Sequence, residues 1–300
     1  ALTPVAVALV LSGCGSGSDN DLAVDNNAQS CSVVSSSGSA VVVGSGVAGD
    51  PAAPEAASGY RLGYKAKQSS KYMVVANTPL ATKAGCDVLK AGGTAVDAAV
   101  AVQAVLGLVE PQSSTIAGSA FMMYYDAANK KVVAYDGRET APAAATGYYL
   151  ARQDQSNASS PAPVPSARRS GRSIGVPGVM RMLDMAHKEH GKLAWAPLFD
   201  EGIRLASSGY KIPGRMGDAI RTNAANLQLD ANAVAAYFNA DGTPKTTGTV
   251  TTNLPYAQSL RTLATGGADA MYSGPLQKPS WPRPPKRWVT MRPRRPSPPA

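Results

Sequence analysis

Histidine and cysteine are scarce in this 300-residue chain, with two and three copies. His187 and His190 are the only histidines, three apart with Lys188 and Glu189 between them. No Cys/His spacing resembles a zinc site, so no metal is expected, and the pair reads as the solvated face of a helix. The cysteines stand at 14, 31 and 86, in three different settings. Export would permit a disulfide, but Cys86 lies in an apolar helical pattern and Cys31 in a polar stretch. The expectation is a buried free thiol at Cys86. Long apolar runs are also missing. The most apolar helical pattern, Ala95 to Leu108, is about fourteen residues and too short to span a bilayer.

Acidic residues vanish from Gln277 onward, where Lys278, Arg283, Lys286, Arg287, Arg292, Arg294 and Arg295 stand among eight prolines. Prolines so dense rule out regular helix or sheet. Without these seven cations the formal net charge of +9 falls to +2. The abrupt change is what a shifted reading frame of GC-rich DNA encodes. The competing reading is a basic tail for nucleic acid or anionic lipid. An exported chain rarely meets nucleic acid, so no nucleic-acid partner is expected.

At the other end, Ala1 to Leu11 is apolar without a starting methionine, and Leu11-Ser12-Gly13-Cys14 resembles a lipoprotein cleavage box. Residues 1–14 therefore read as a truncated lipoprotein signal peptide with Cys14 the acylated residue, and an ordinary secretory signal as the alternative. Residues 15–59 are rich in Gly, Ser, Ala, Asp and Asn, a composition suited to a flexible tether. The expected location is periplasmic, lipid-anchored to a bacterial membrane. The folded part is expected over 60–276, with an aberrant Pro/Arg-rich tail over 277–300.

The best-specified stretch runs from Tyr72 to Pro142. Met73-Val74-Val75-Ala76 reads as a strand. Thr78 can cap a helix with Pro79 at its first position, and Gly92-Gly93 ends it. Thr94 caps a second helix with Asp97 three residues on. From Ala95 to Leu108 only Asp97 and Gln103 are strongly polar, and a helix apolar on all sides belongs inside a protein. Ala120–Tyr125 and Val132–Tyr135 read as a hairpin around Asp126-Ala127-Ala128-Asn129. The loop after it presents Asp136, Arg138 and Glu139. A guanidinium fork suits a substrate carboxylate. From spacing alone the plainer reading is a surface ion pair between Arg138 and Asp136 or Glu139.

Further on, Gln153 to Ser173 reads as a polar loop, and Pro177 opens a helix ending at Gly191 with Met182, Leu183 and Ala186 buried. Leu198 to Ser208 is a helix stopped by Gly209. Others are marked by Met216, Ile220 and Leu227, by Ala233 to Phe238, and by Leu260 with Leu263.

Several segments together resemble the large subunit of the gamma-glutamyltransferases (glutathione hydrolases). They are Asn77-Thr78-Pro79-Leu80-Ala81, Gly92-Gly93-Thr94-Ala95-Val96-Asp97-Ala98-Ala99, Gly107-Leu108-Val109-Glu110-Pro111-Gln112-Ser113-Ser114 and Asp136-Gly137-Arg138-Glu139-Thr140-Ala141-Pro142. The likeness continues through Val176-Pro177-Gly178 and His190-Gly191-Lys192-Leu193 to Ala270-Met271-Tyr272-Ser273-Gly274-Pro275-Leu276. It implies an α/β fold, the four-layer αββα sandwich of the N-terminal-nucleophile hydrolases, incomplete in this chain. It implies a threonine nucleophile with its own α-amino group as base, acting on glutathione and other γ-glutamyl compounds, with water, amino acids or peptides as acceptors. It also implies a small subunit from the same precursor and no cofactor. Arg138 matches the family's grip on the glutamyl α-carboxylate. The family's Thr-Thr-His/Ser start has no match here. Thr246-Thr247-Gly248 and Thr251-Thr252-Asn253 lack the residues that should follow. No catalytic residue is assigned, and the chain alone is expected to be inactive. A second departure is Thr115-Ile116-Ala117-Gly118-Ser119, where the family carries a run of glycines and which puts the local geometry in doubt. The alternatives are a related acylase and a non-catalytic, lipid-anchored relic or binding module.

Overall fold

The computed structural model describes Cys31 and residues 69–164, 166–167 and 171–276. The expected signal peptide with Cys14, the tether apart from Cys31, and the Pro/Arg tail lie outside the described residues.

Helix α1, Pro79–Lys90, starts where Thr78 takes the Ala81 N–H on its hydroxyl, with proline in the first turn. Helix α2, Ala95–Val109, carries a full capping box: the Thr94 hydroxyl accepts from Asp97 N–H, and the Asp97 carboxylate accepts from Thr94 N–H at 2.8 Å. The rest of α2 explains the lack of a polar face. Val96, Val100 and Ala104 enter one apolar cluster, with the hairpin, Val179 to Ala186, Leu260 and Leu263. Ala101, Val105 and Leu108 enter a second, with Ala81, Ala84, Leu205, Ile212 and Met216. A helix between two cores has little side left for water, and only Ala95 of α2 is exposed.

Strands β1, Ala120–Asp126, and β2, Lys131–Gly137, pair antiparallel with Ala120 opposite Gly137 and Asp126 opposite Lys131. Lys130 turns the chain at φ 50°. The Asp126 side chain accepts from Asn129 and Ala128 in this turn, and those bonds hold its carboxyl below the usual range. One face of the hairpin packs into the first cluster through Met122, Tyr124 and Tyr135. The other shows Phe121, Met123, Tyr125 and Val132 to solvent.

The C-terminal half is helical: α3, Val179–His190; α4, Asp200–Ser208; α5, Gly214–Leu227; α6, Ala231–Tyr237; α7, Leu254–Gly266; and α8, Asp269–Tyr272. Strands β3, Tyr210–Lys211, and β4, Val250–Thr251, form a short antiparallel pair between them. Gly209 ends α4 at φ 103°, a conformation that glycine adopts without strain. Among the described residues no helix is long and apolar enough to cross a membrane.

Several sequence expectations are corrected. Met73–Ala76 is not paired as a strand among the described residues, although burial alternates along it. The Ala76 N–H donates to the Thr82 hydroxyl at 3.1 Å instead of to a neighbouring strand. The helix expected from Pro177 begins at Val179, because the Gly178 and Val179 N–H groups both donate to the Gly118 carbonyl. Residues 196–199 form a 3₁₀ turn before α4 rather than its first turn. Cys86 is not a free thiol but is disulfide-bonded to Cys31, with the Cα atoms 5.5 Å apart. Helical periodicity around Cys86 marks an inward-leaning face, but Cys86 itself is only half-buried, and such a position suits a disulfide as well as a thiol.

The histidines are corrected too. His187 and His190 are largely buried, not solvated: the His187 side chain is 13 % exposed and that of His190 is 18 % exposed. His187 Nε2 lies 2.9 Å from the Leu193 carbonyl, and its ring meets Trp195 edge-on at 5.2 Å. His190 stacks on Tyr124 at 4.0 Å. Helix α3 is amphipathic, and Lys188 and Glu189 remain exposed, but the two histidines of its last turn are covered by the hairpin and by the loop that follows.

Candidate substrate-carboxylate site

The site grows from the end of β2. Its last residue, Gly137, pairs with Ala120. The Arg138 N–H then donates to the Asp136 carboxylate at 3.0 Å, a side-chain turn that aspartate forms readily. The chain bends there, and the Arg138 side chain projects with 61 % of its surface exposed. Its Nε lies 3.0 Å from Glu139 Oε2. The Ser119 hydroxyl first, then the backbone N–H of Glu139 and the Arg138 guanidinium, hold the Glu139 carboxyl below its ordinary range. Glu139 thus stays ionised beside Arg138 at neutral pH. Thr140 next pairs with Val176: Val176 N–H donates to Thr140 O at 2.8 Å, and Thr140 N–H returns the bond at 3.4 Å.

The plainer reading of Arg138 is present in this geometry, and the guanidinium is not used up by it. The arginine does form the ion pair with Glu139, and it also remains open to solvent. A guanidinium whose Nε faces a fixed carboxylate has its orientation set, and its terminal nitrogens form a fork that matches an incoming carboxylate. The ion pair itself contributes little stability at that exposure.

The loop that leads from α2 to Ser119 and the hairpin is fixed at its start. Glu110 is fully buried at the end of α2. Its Oε2 accepts from Gln112 Nε2 and Ser113 Oγ at 2.9 Å each and from Arg215 Nε at 3.2 Å. This network ties the Glu110–Ser114 turn to α5. Residues 115–119, where the family carries glycines, contain no positive φ among the described residues. Threonine, isoleucine and alanine there impose no left-handed strain.

A second buried carboxylate secures the frame. Asp97 caps α2 and accepts from the Lys192 N–H at 3.0 Å and the Leu193 N–H at 3.2 Å. Burial pushes its carboxyl upward, but the donors from Thr94, Lys192 and Leu193 outweigh it, and the result lies below the ordinary value of 3.8. Sequence spacing found the cap but not the 95-residue connection to the end of α3. It also missed Ser119 and the pairing of Thr140 with Val176, because hydrogen bonds between loops leave no periodic trace. Val176-Pro177-Gly178 was visible as a motif without a role.

Among the described residues no three His, Cys, Asp or Glu side chains cluster as metal ligands. Thr251, in one of the Thr-Thr pairs, is buried in β4 and accepts from Lys245 Nζ at 2.8 Å. That bond serves packing between β4 and the end of α6.

With the hairpin, the Arg138 loop and the helical layer in place, comparison with known proteins gives the class. The chain belongs to the gamma-glutamyltranspeptidase family, whose sequence profile matches residues 81–279. It is 36% identical over 208 residues to Glutathione hydrolase 3 of Arabidopsis thaliana, covering 69% of this chain and 31% of that protein. It is 34% identical over 209 residues to the Glutathione hydrolase proenzyme of Bacillus subtilis (strain 168), covering 69% and 34%. The chain thus spans about a third of the length of these relatives. The gamma-glutamyltranspeptidase of Helicobacter pylori superposes with a TM-score of 0.64 at 27% identity, covering 70% of this chain and 58% of that one. The fold is the α/β type of the N-terminal-nucleophile hydrolases, the αββα architecture expected from the resemblance, carried here in part.

Proposed function

We propose that this chain provides the glutamyl-carboxylate grip of a γ-glutamyl transfer and hydrolysis enzyme, with Arg138 as the contact. The observation that carries the reading is the exposed Arg138 guanidinium, held at its root by Asp136 and at its side by Glu139. Glutathione offers a free glutamyl α-carboxylate next to the γ-amide, which is the group such a fork recognises. The reaction of the family then needs a threonine hydroxyl to attack the γ-carbonyl carbon. The C–N bond breaks, the amine leaves with a proton, and the ester passes its glutamyl group to water or to an amino acid or peptide. That threonine matches no residue of this sequence, so the nucleophile belongs to a small-subunit partner from the same precursor. No cofactor enters this chemistry.

The proposal extends to location. Leu11-Ser12-Gly13-Cys14 supports lipidation at Cys14 and anchoring to a bacterial membrane on its periplasmic side. The bridge between Cys31 and Cys86 supports export, since disulfides persist mainly in oxidising compartments. Replacing Cys14 by alanine should release the chain from the membrane fraction.

The test of the grip is a calorimetric titration of the full chain with glutamate. Wild-type protein should bind, and Arg138→Ala should weaken binding by roughly tenfold or more, the loss of one charge-assisted pair. Equal binding by the two proteins would remove Arg138 from the site.

A further inference from the structure

The segment Gly175-Val176-Pro177-Gly178 lies backbone to backbone against the Arg138 loop, and both of its glycines stand where no side chain fits. A Cβ on Gly178 would overlap the carbonyl oxygen of Gly137 and come within 3.0 Å of the Arg138 carbonyl oxygen. A Cβ on Gly175 would lie 2.7 Å from Glu139 Cγ and 3.1 Å from the Thr140 carbonyl oxygen. The demand at Gly178 is for space, not for an unusual backbone: its φ of −121° and ψ of −23° are open to other residues.

The segment is itself anchored on both sides. Val176 pairs with Thr140, the Gly178 and Val179 N–H groups donate to Gly118 O at 2.9 and 3.1 Å, and the Tyr272 hydroxyl donates to Pro177 O at 2.7 Å. Tyr272 lies under the Arg181 guanidinium, 4.8 Å from it, and Arg181 pairs with Asp184 at 3.6 Å and with Asp269. The position of the loop is therefore referred to α3 and α8, elements of the packed helical layer, rather than to the hairpin alone. Interiors packed this closely transmit a displacement of a few tenths of an ångström instead of absorbing it.

We infer that Gly178 and Gly175 are positioning residues for Arg138: their missing side chains let the 175–178 segment clamp the backbone of residues 137–140 and so set where the guanidinium meets a substrate carboxylate. The inference rests on the reading of Arg138 as the carboxylate contact. Adding a methyl group at 178 forces the Gly137–Arg138 peptide away and loosens the pairing of Thr140 with Val176. Adding one at 175 presses on the flexible Glu139 side chain and acts in the same direction more gently.

The experiment uses the 300-residue chain as wild type, Gly178→Ala, Gly175→Ala and Gly85→Ala. Gly85 is a control of similar crowding away from the loop, since a Cβ there meets Val102 Cγ2 at 2.6 Å and Val74 Cγ1 at 2.9 Å. Hydrogen exchange at the Thr140 and Val176 amides should quicken about tenfold in Gly178→Ala, less in Gly175→Ala, and not in Gly85→Ala, with the α2 amides protected in the first two. Glutamate titration should show affinity reduced about tenfold in Gly178→Ala, with Arg138 still present. Wild-type exchange at Thr140 and Val176 in folded Gly178→Ala and Gly175→Ala overturns the inference. So does unchanged glutamate affinity in both variants when the wild type binds. If Gly178→Ala does not fold, Gly175→Ala decides by the same two readouts. If the wild-type chain binds no glutamate, the reading of Arg138 falls, while the exchange result still decides whether the clamp exists.

Discussion

Helix α2 and the β1–β2 hairpin have comparably apolar sequences and opposite surroundings. Most of α2 is covered on two sides by apolar clusters, and Val100, Val105 and Val109 are fully buried. The hairpin buries one face, while Phe121 is 66% exposed and Met123 70%. The reason lies in how the two elements satisfy themselves. A helix closes its hydrogen bonds internally and needs only side-chain partners, which α1, α3, α4 and α7 supply. A two-stranded sheet leaves an unpaired edge on each strand and an apolar face that only another layer can cover. In an αββα architecture that layer is a second sheet, and the described residues place no such sheet against this face.

The largest effect expected from probing this contrast is in the α2 core. Leu108→Ala should lower unfolding stability by about 3 kcal/mol, from lost burial and the cavity left behind, in a urea titration with unchanged slope. A cost below about 1 kcal/mol would mean that the core around α2 is loose and the contrast with the hairpin overdrawn.

Next comes the carboxylate that ties α2 to the end of α3. Asp97→Asn should cost on the order of 2 kcal/mol, because the amide accepts less well from the Lys192 and Leu193 N–H groups. Its pH dependence follows from the lowered pKa. The stabilisation by Asp97 is fully present above the unfolded value near 3.8 and is lost as pH falls through the still lower folded value. Wild-type stability should therefore drop more steeply than that of Asp97→Asn below about pH 4, as read by urea unfolding at several pH values. Parallel acid limbs would show that the carboxylate charge does not matter there.

The smallest effect on folding belongs to the open hairpin face. Met123→Lys should change stability by no more than about 0.5 kcal/mol, while lowering self-association of the chain in sedimentation experiments. A large destabilisation would instead mean that this face is packed in the folded protein. The substitution at Arg138 fits the same end of the scale: a loss of binding with little loss of stability, as its exposure requires.

Much of the fold could be read from local chemistry. Thr78 with Pro79 and Thr94 with Asp97 predicted two helix starts, and both caps are present. The hairpin was legible from its apolar runs and the Asp126 turn, and its observed limits differ by a residue or two, as strand ends commonly do. The short β3–β4 pair escaped notice because two residues per strand carry no period. Met73–Ala76 was read as a strand from its apolar run; burial alternates along it, but it pairs with no strand among the described residues. The cysteines were misread because the two stand 55 residues apart in sequence, and no spacing rule joins them. For the candidate site, Arg138 and its neighbouring acids were legible, but Ser119, Gly175 and Gly178 were not, since their importance lies in what they touch.

The sequence by itself determined where α1 and α2 begin, that α2 lies in the core, and which arginine stands at a strand end. Those features depend on residues a few positions apart, where capping bonds and side-chain periodicity act. Tertiary structure alone decided that Asp97 also holds the end of α3, that Cys31 joins Cys86, and that two glycines at 175 and 178 bear on the Arg138 loop. Each of these depends on atoms brought within a few ångströms by packing, and contact across such separations has no local signature in the chain.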